Sequence, residues 1–548
     1  MWKRDLLLIF AVLVGFGFLA NEVLPKASPE SEILRKTASD NDQTRHDSSV
    51  AHSVQALDDL FQKRWAEAEI EPAQEIDELQ VVRRLSLTLS GTIPSLEEIR
   101  LYQAHPTEGR LSWWLNLILT DRRFPDYFAE RFARVYVGVE NGPFLVYRRR
   151  RFVTWLSDQF AMNRPFDELV TELLTSQGLW TDTPATNFFT IASIKGETRL
   201  DVPKITAHVS RAFLGVRMDC AQCHDHPFAN WSQQDFHQLA AFFGQTSQQF
   251  AGIRDGQGHY EVDLQHTGEM VTVDPGVPLR EDLRPQEGTL RTQLARWITY
   301  PMNKLFPRAT VNRVWALMFG RAYMEPVDDI PVGENVDTVL DFLADDFVEH
   351  GYDLHRLIRV IALSVPYRLD SFIDPEDDEQ PVDSERLAQQ WAVFPVTRLR
   401  SEQVASSIVQ SSSLRTRDYT NHVLFRLVRQ IETGQFVRRY GDAGEHELEV
   451  DSQTVSQRLL LLNGKLMKQK TETDALRANA SSRIASLAPD DMKAVEIAFL
   501  AVLSRTPTAE EAGYFAEHLS HSRDQQRDTV LEDLFATLLN STEFLCLH

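Results

Sequence analysis

The sequence predicts a mainly α, multi-helix protein with two or three helical subdomains and a small β-hairpin inserted among them. Three observations carry that reading. Apolar residues recur at helical spacing from Leu57 onward with few breaks, alternation at a period of two is confined to a stretch near residue 260, and 548 residues exceed what one hydrophobic core organises.

The chain opens on Trp2-Lys3-Arg4 and an apolar run from Leu6 to Ala20 that is broken only by Gly15 and Gly17. Its charge order and length are those of a secretory signal, and it is short for a full membrane span. Phe18 stands where cleavage needs a small residue. Residues 1–24 therefore read as a signal peptide or as an uncleaved signal anchor, with the rest of the chain periplasmic or on the outer face of the cytoplasmic membrane. Residues 25–55 are polar, carry both signs of charge and show no apolar period, and are expected to be a tether.

A first helical domain is expected over 56–285, beginning with the stripe Leu57, Leu60, Phe61 and Trp65. Ser95 and Glu98 form a capping box, and the same device returns as Thr508 with Glu511, each time after a helix ending in Leu-Ser. This is a weak internal repeat, read as one capping solution used twice. Arg148 to Arg151 form a run whose plainer reading is a solvated face with salt bridges; a phosphate or haem-propionate site is the sharper one. Tyr260–Leu264 and Glu269–Val273 alternate like two strands of a hairpin, with a boundary near Pro285. A second helical domain is expected over 286–548, with an acidic linker near 374–386. The pairs Asp328-Asp329 and Asp345-Asp346 read as surface charge, because adjacent residues on a helix do not share a face.

The net charge of −22 speaks against a sequence-independent grip on nucleic acid, which needs Lys and Arg to neutralise phosphates. It equally disfavours docking on an anionic membrane surface, so contact with a membrane is expected only through an uncleaved N-terminus. Three cysteines are too few for a disulfide framework in an exported protein of this size.

Two of them sit in Cys220-Ala221-Gln222-Cys223-His224. Before them, Pro203 opens a helix with the stripe Ile205, Val209, Ala212 and Phe213, and Gly215 suits the position past its end. After them, Ser232 and Asp235 open a helix with the stripe Phe236, Leu239, Ala240 and Phe243. The connector carries soft and borderline ligands. In the haem c reading, Cys220 and Cys223 form thioethers on one porphyrin edge, and His224 turns under the ring as proximal iron ligand. In a zinc reading, Cys220 and Cys223 are joined by His226 or His237. A Cys220–Cys223 disulfide and a turn without a cofactor are the remaining alternatives. A distal haem ligand is not assigned; His208, His237 and Met270 are candidates, and a five-coordinate iron is open as well.

The segment from Phe213 to Arg217, the run from Cys220 to Phe228, Trp231, and Ala240 to Phe243 resemble the first of two adjoining uncharacterised domains in exported planctomycete proteins described as cytochrome-c-associated. The second domain of that pair resembles Asn312 to Trp315 with Phe319-Gly320-Arg321 and Pro326 to Asp329, then Gly351 to Leu354, Ala362 to Ser364 with Tyr367, Arg398-Leu399 with Ser401 to Gln403, Leu462-Asn463-Gly464, and Leu539 to Leu545. The resemblance implies an exported, helix-rich protein with a haem c motif on Cys220, Cys223 and His224. It implies no reaction and no catalytic residue. The function expected from the whole is a haem c-type protein, with electron transfer to a redox partner or service to an exported enzyme. A zinc- or metal-stabilised helical scaffold or partner protein without haem is the alternative.

Overall fold

The computed structural model describes residues 40–139, 149–194, 197–263, 269–373, 384–416, 433–441, 454–472, 479–522 and 524–548. These form a mainly helical protein whose sheets are all two-stranded, as the sequence predicts. The N-terminal apolar run, Arg148 and residues 374–383 of the acidic stretch lie outside the described residues. Among the described residues no helix is long and apolar enough to cross a membrane.

The first half is built from α1 (Asp40–Glu67), α2 (Glu78–Ser90), α3 (Leu96–Ala104), α4 (Arg110–Thr120), α5 (Arg123–Val137), α6 (Arg149–Ala161) and α7 (Phe166–Thr175). There follow α8 (Val202–Val209), α9 (Gln233–Ala241) and two antiparallel hairpins, β1 (Thr246–Gln249) with β2 (Gly252–Asp255) and β3 (Tyr260–Val262) with β4 (Val271–Val273). The second half contains α10 (Leu290–Ile298), α11 (Leu305–Phe319), α12 (Thr338–Glu349), α13 (Leu354–Leu363) and α14 (Ser401–Ser411). It closes with α15 (Asp491–Leu503), α16 (Ala509–Ser520) and α17 (Asp524–Leu539), and β5 (Thr397–Arg398) pairs with β6 (Cys546–Leu547).

Every residue of α11 is buried, which is what a helix apolar on nearly all sides requires. Its Arg308 and Asn312 side chains find protein partners instead of water. Arg308 binds Asp341 and the carbonyls of Gly333 and Glu334, and the Asn312 amide pairs with both backbone groups of Met324. Around α11 the two halves share one continuous apolar core, contrary to the expectation from chain length that one core would not organise the whole. Phe166 stacks on Phe306, Tyr136 packs on Phe213, and Phe61 lies against Trp315.

Residues 25–39 of the expected tether lie outside the described residues, and its last part, residues 40–55, belongs to α1. Helix begins at Asp40, and Val50 and Ser53 are buried. This part of α1 docks through hydroxyls: Arg356 donates to Ser49 and Ser53, and Ser53 donates to Asp346 at 2.6 Å. A hydrophobic period does not register that kind of packing. The same network corrects the reading of Asp346 as surface charge. It is buried and paired with the buried Arg356 guanidinium, while Asp345 faces Lys304 at the surface.

The hairpin expected near residue 260 is present as β3 and β4, with Tyr260 opposite Val273. The β1–β2 hairpin was not expected, since Thr-Ser-Gln-Gln shows no alternation. Its turn depends on Gly252 at φ +94°, where a Cβ would lie 2.0 Å from the Gly178 carbonyl oxygen. Both expected capping boxes are formed, at Ser95/Glu98 and at Thr508/Glu511. Each follows a left-handed residue, Gly91 or Ser504, and the helices that precede them touch where Arg83 of α2 donates to the Val502 carbonyl of α15. In the arginine run, Arg149 grips both carboxylate oxygens of Glu130, and Arg150 and Arg151 are exposed, in keeping with the solvated-face reading.

Candidate functional site

The cysteine–histidine segment hangs between α8 and α9. Asp201 caps α8 with Pro203 in its first turn, and the helix runs into a wider turn at Ser210–Leu214 before Gly215 ends it at φ +64°. A Cβ at Gly215 would meet Ala309 and Ile330 at 3.1 Å, so the chain here rests directly on the second half. The amide of Ile330 donates to the Gly215 carbonyl at 2.7 Å. Two residues on, Arg217 holds Asp328, and its own amide donates to Asp329. The aspartate pair that reads as surface charge thus braces the approach to the cysteines.

Asp219–Gln222 form one tight helical turn. Met218 and Ala221 are fully buried beneath it and leave Cys220 and Cys223 exposed. Cys220, Cys223 and the half-buried Cys546 are all free thiols. From the other side, α9 reaches over the turn. Its start is fixed by the expected capping box of Ser232 and Asp235. The Gln233 amide side chain donates to the Cys223 carbonyl at 3.2 Å, and its backbone amide donates to Asp225 at 2.8 Å.

The three histidines are set differently. His224 is exposed, and its Nδ1 lies 2.8 Å from the Asp225 carbonyl. A carbonyl only accepts, so Nδ1 carries a proton, and in the neutral ring Nε2 is the nitrogen left to ligate. Nδ1 of His226 accepts from the amides of Phe228 and Ala229 at 3.2 and 2.9 Å, which leaves its proton on Nε2. His237 is buried. Its Nε2 donates to the Gln222 carbonyl at 3.0 Å, and Nδ1 accepts from the Tyr260 hydroxyl at 2.9 Å. Burial lowers its pKa from the ordinary value, keeping the ring neutral.

The structure thus brings Cys220, Cys223 and His224 to one exposed turn, while His226 commits its Nδ1 to backbone amides and His237 commits both ring nitrogens, to the Gln222 carbonyl and Tyr260. Among the described residues no three His, Cys, Asp or Glu side chains converge to hold a metal ion. Of the distal candidates, His237 is engaged in this way, His208 is buried in α8 and Met270 is exposed beside β4.

Residues 56–248 match the family model of PSCyt2, a protein of unknown function (DUF1549), and residues 290–440 match that of PSD1, a protein of unknown function (DUF1553). The chain carries two adjoining domains of unknown function. No curated protein and no solved structure matches it. The cysteine turn, α8 and α9 belong to the DUF1549 domain, and Asp328, Asp329 and Ile330 belong to the DUF1553 domain, so the site is braced across the pair.

Sequence reasoning missed Gln233, Tyr260 and Arg217 as supports of the turn. Their roles depend on carbonyl and side-chain partners far apart in sequence, and no local motif signals them. Tyr260 carried a faint signal as the one aromatic in an otherwise polar and aliphatic strand.

Proposed function

We propose that Cys220 and Cys223 hold one covalent haem c with His224 as the proximal iron ligand. The protein then serves as an exported haem-carrying or electron-transfer protein, periplasmic or at the outer face of the cytoplasmic membrane, released or held by its N-terminal apolar segment. The observation that carries this reading is the donor set at one exposed turn: two free thiols three residues apart, followed by an exposed imidazole whose Nδ1 is held by a backbone carbonyl. The carbonyl on Nδ1 fixes the tautomer that iron ligation needs and raises the basicity of Nε2. Bound haem would supply reversible one-electron chemistry. The chain's own part is to present both sulfurs on one side, orient His224 through Asp225, and leave the turn open to a redox partner or an exported enzyme. The apolar run after a basic start and the likeness to exported cytochrome-c-associated proteins support the location.

The test is a covalent-haem stain on the denatured full-length protein, made in a host that matures c-type cytochromes. A stained band of the right size is expected. A blank lane overturns the proposal, and stoichiometric zinc in the same preparation would replace it with a metal-held helical scaffold.

A further inference from the structure

The attachment of two sulfurs and one imidazole to a single rigid group depends on their being held in place beforehand, because an unordered turn has to lose that entropy during the reaction. The turn's own bonds are few. Ala221 donates to the Met218 carbonyl at 2.9 Å, and Cys223 donates to Cys220 at a long 3.4 Å. The carbonyl of Gln222 accepts from buried His237 at 3.0 Å and, at a longer 3.4 Å, from the Gln233 side chain; the His237 ring packs at 5.8 Å against the Tyr260 ring and accepts a hydrogen bond from its hydroxyl. The line Tyr260–His237–Gln222 therefore ties the β3–β4 hairpin, α9 and the cysteine turn together. It uses both imidazole nitrogens, and the acceptor at Gln222 admits only a donor at the Nε2 position.

We infer that His237 is a positioning residue for the cysteine turn: it presents Cys220, Cys223 and His224 in one geometry, with the Gln222 carbonyl setting its tautomer and the Tyr260 hydroxyl donating to its Nδ1. The inference rests on the haem reading for its purpose, but its physical content does not require haem. His237 touches neither thiol and takes no part in any bond formed there.

The test uses the full-length chain with His237→Phe, His237→Gln and Tyr260→Phe. Gln can place an amide donor where Nε2 stood, and Phe cannot. In the haem-free protein, amide hydrogen exchange over residues 219–226 is expected to speed up about tenfold in His237→Phe, the factor one buried hydrogen bond is worth. His237→Gln should restore most of that protection, and Tyr260→Phe should fall between. Helical circular dichroism should stay at the wild-type level. Under maturation conditions, covalent haem yield should follow the same order. Unchanged exchange over 219–226 in His237→Phe overturns the inference, as does a failure of His237→Gln to restore it. If the exchange order holds while the wild-type chain takes no haem, the positioning role stands and the haem reading fails.

Discussion

Arg217 and Asp328 join the two domains at 2.7 Å, three residues ahead of the first cysteine of the turn. The arginine side chain is partly exposed and the carboxylate largely covered, so the pair sits where water still screens it. Asp328→Asn should therefore cost less than about 1 kcal/mol of global stability. It should nevertheless raise hydrogen exchange at residues 216–220, because the brace is local. A urea midpoint that collapses, or exchange that stays at the wild-type rate, would contradict this.

Gly215 is more demanding. Its left-handed backbone disfavours any side chain, and at 3.1 Å from Ala309 and Ile330 an added methyl is crowded. Gly215→Ala should cost about 2 kcal/mol, combining backbone strain with overpacking. Chemical denaturation measures it, and a neutral substitution would show that the domain contact is looser than the geometry implies.

Arg291 lies fully buried on α10 and meets both oxygens of Asp255 at 2.8 and 2.9 Å. It also donates to the carbonyls of Leu174 and Ser176 and covers the Phe189 ring. Arg291→Met should destabilise by roughly 3 kcal/mol, since it strands a largely buried carboxylate. Adding Asp255→Leu should recover part of the loss. Two single variants whose costs simply add would contradict a coupled pair.

How much of this was legible in the sequence depends on the kind of force involved. Helices held by apolar stripes and caps were readable: the boxes at Ser95, Ser232 and Thr508 all form, and α9 starts where Ser232 places it. The β3–β4 hairpin was readable from its alternation. Elements docked by polar contacts were not. Residues near Ser53 looked like tether because their anchor is Arg356, some three hundred residues away, and Asp346 looked exposed because its partners lie on α1 and α13. At the site, the motif pointed to Cys220, Cys223 and His224, which do share one turn. The roles of His237 and Asp328 became visible only when the chain was folded, since a backbone carbonyl and a guanidinium in another segment define them.

His355 gives a pH dependence with a defined sign. It is half-buried against the Phe124 ring, with Nε2 donating to the Phe160 carbonyl at 3.2 Å. Burial, helped by the nearby Arg359 charge, lowers its pKa from 6.5 to about 4. Between those values the unfolded chain binds a proton that the folded chain refuses. Its stabilising contribution is therefore full above pH 6.5 and is lost as the pH falls through about 4. The loss is at most about 3 kcal/mol. His355→Gln should flatten the fall in urea stability between pH 6.5 and 4.5. An unchanged slope would place the acid sensitivity elsewhere.

The most direct test of the central claim is the mass of the denatured full-length chain after expression with cytochrome c maturation machinery. The account predicts a gain of one haem, lost in the Cys220→Ala/Cys223→Ala variant and retained as covalent mass, with an altered spectrum, in His224→Ala. A wild-type chain at its bare polypeptide mass, from cells that mature a control cytochrome, would contradict it.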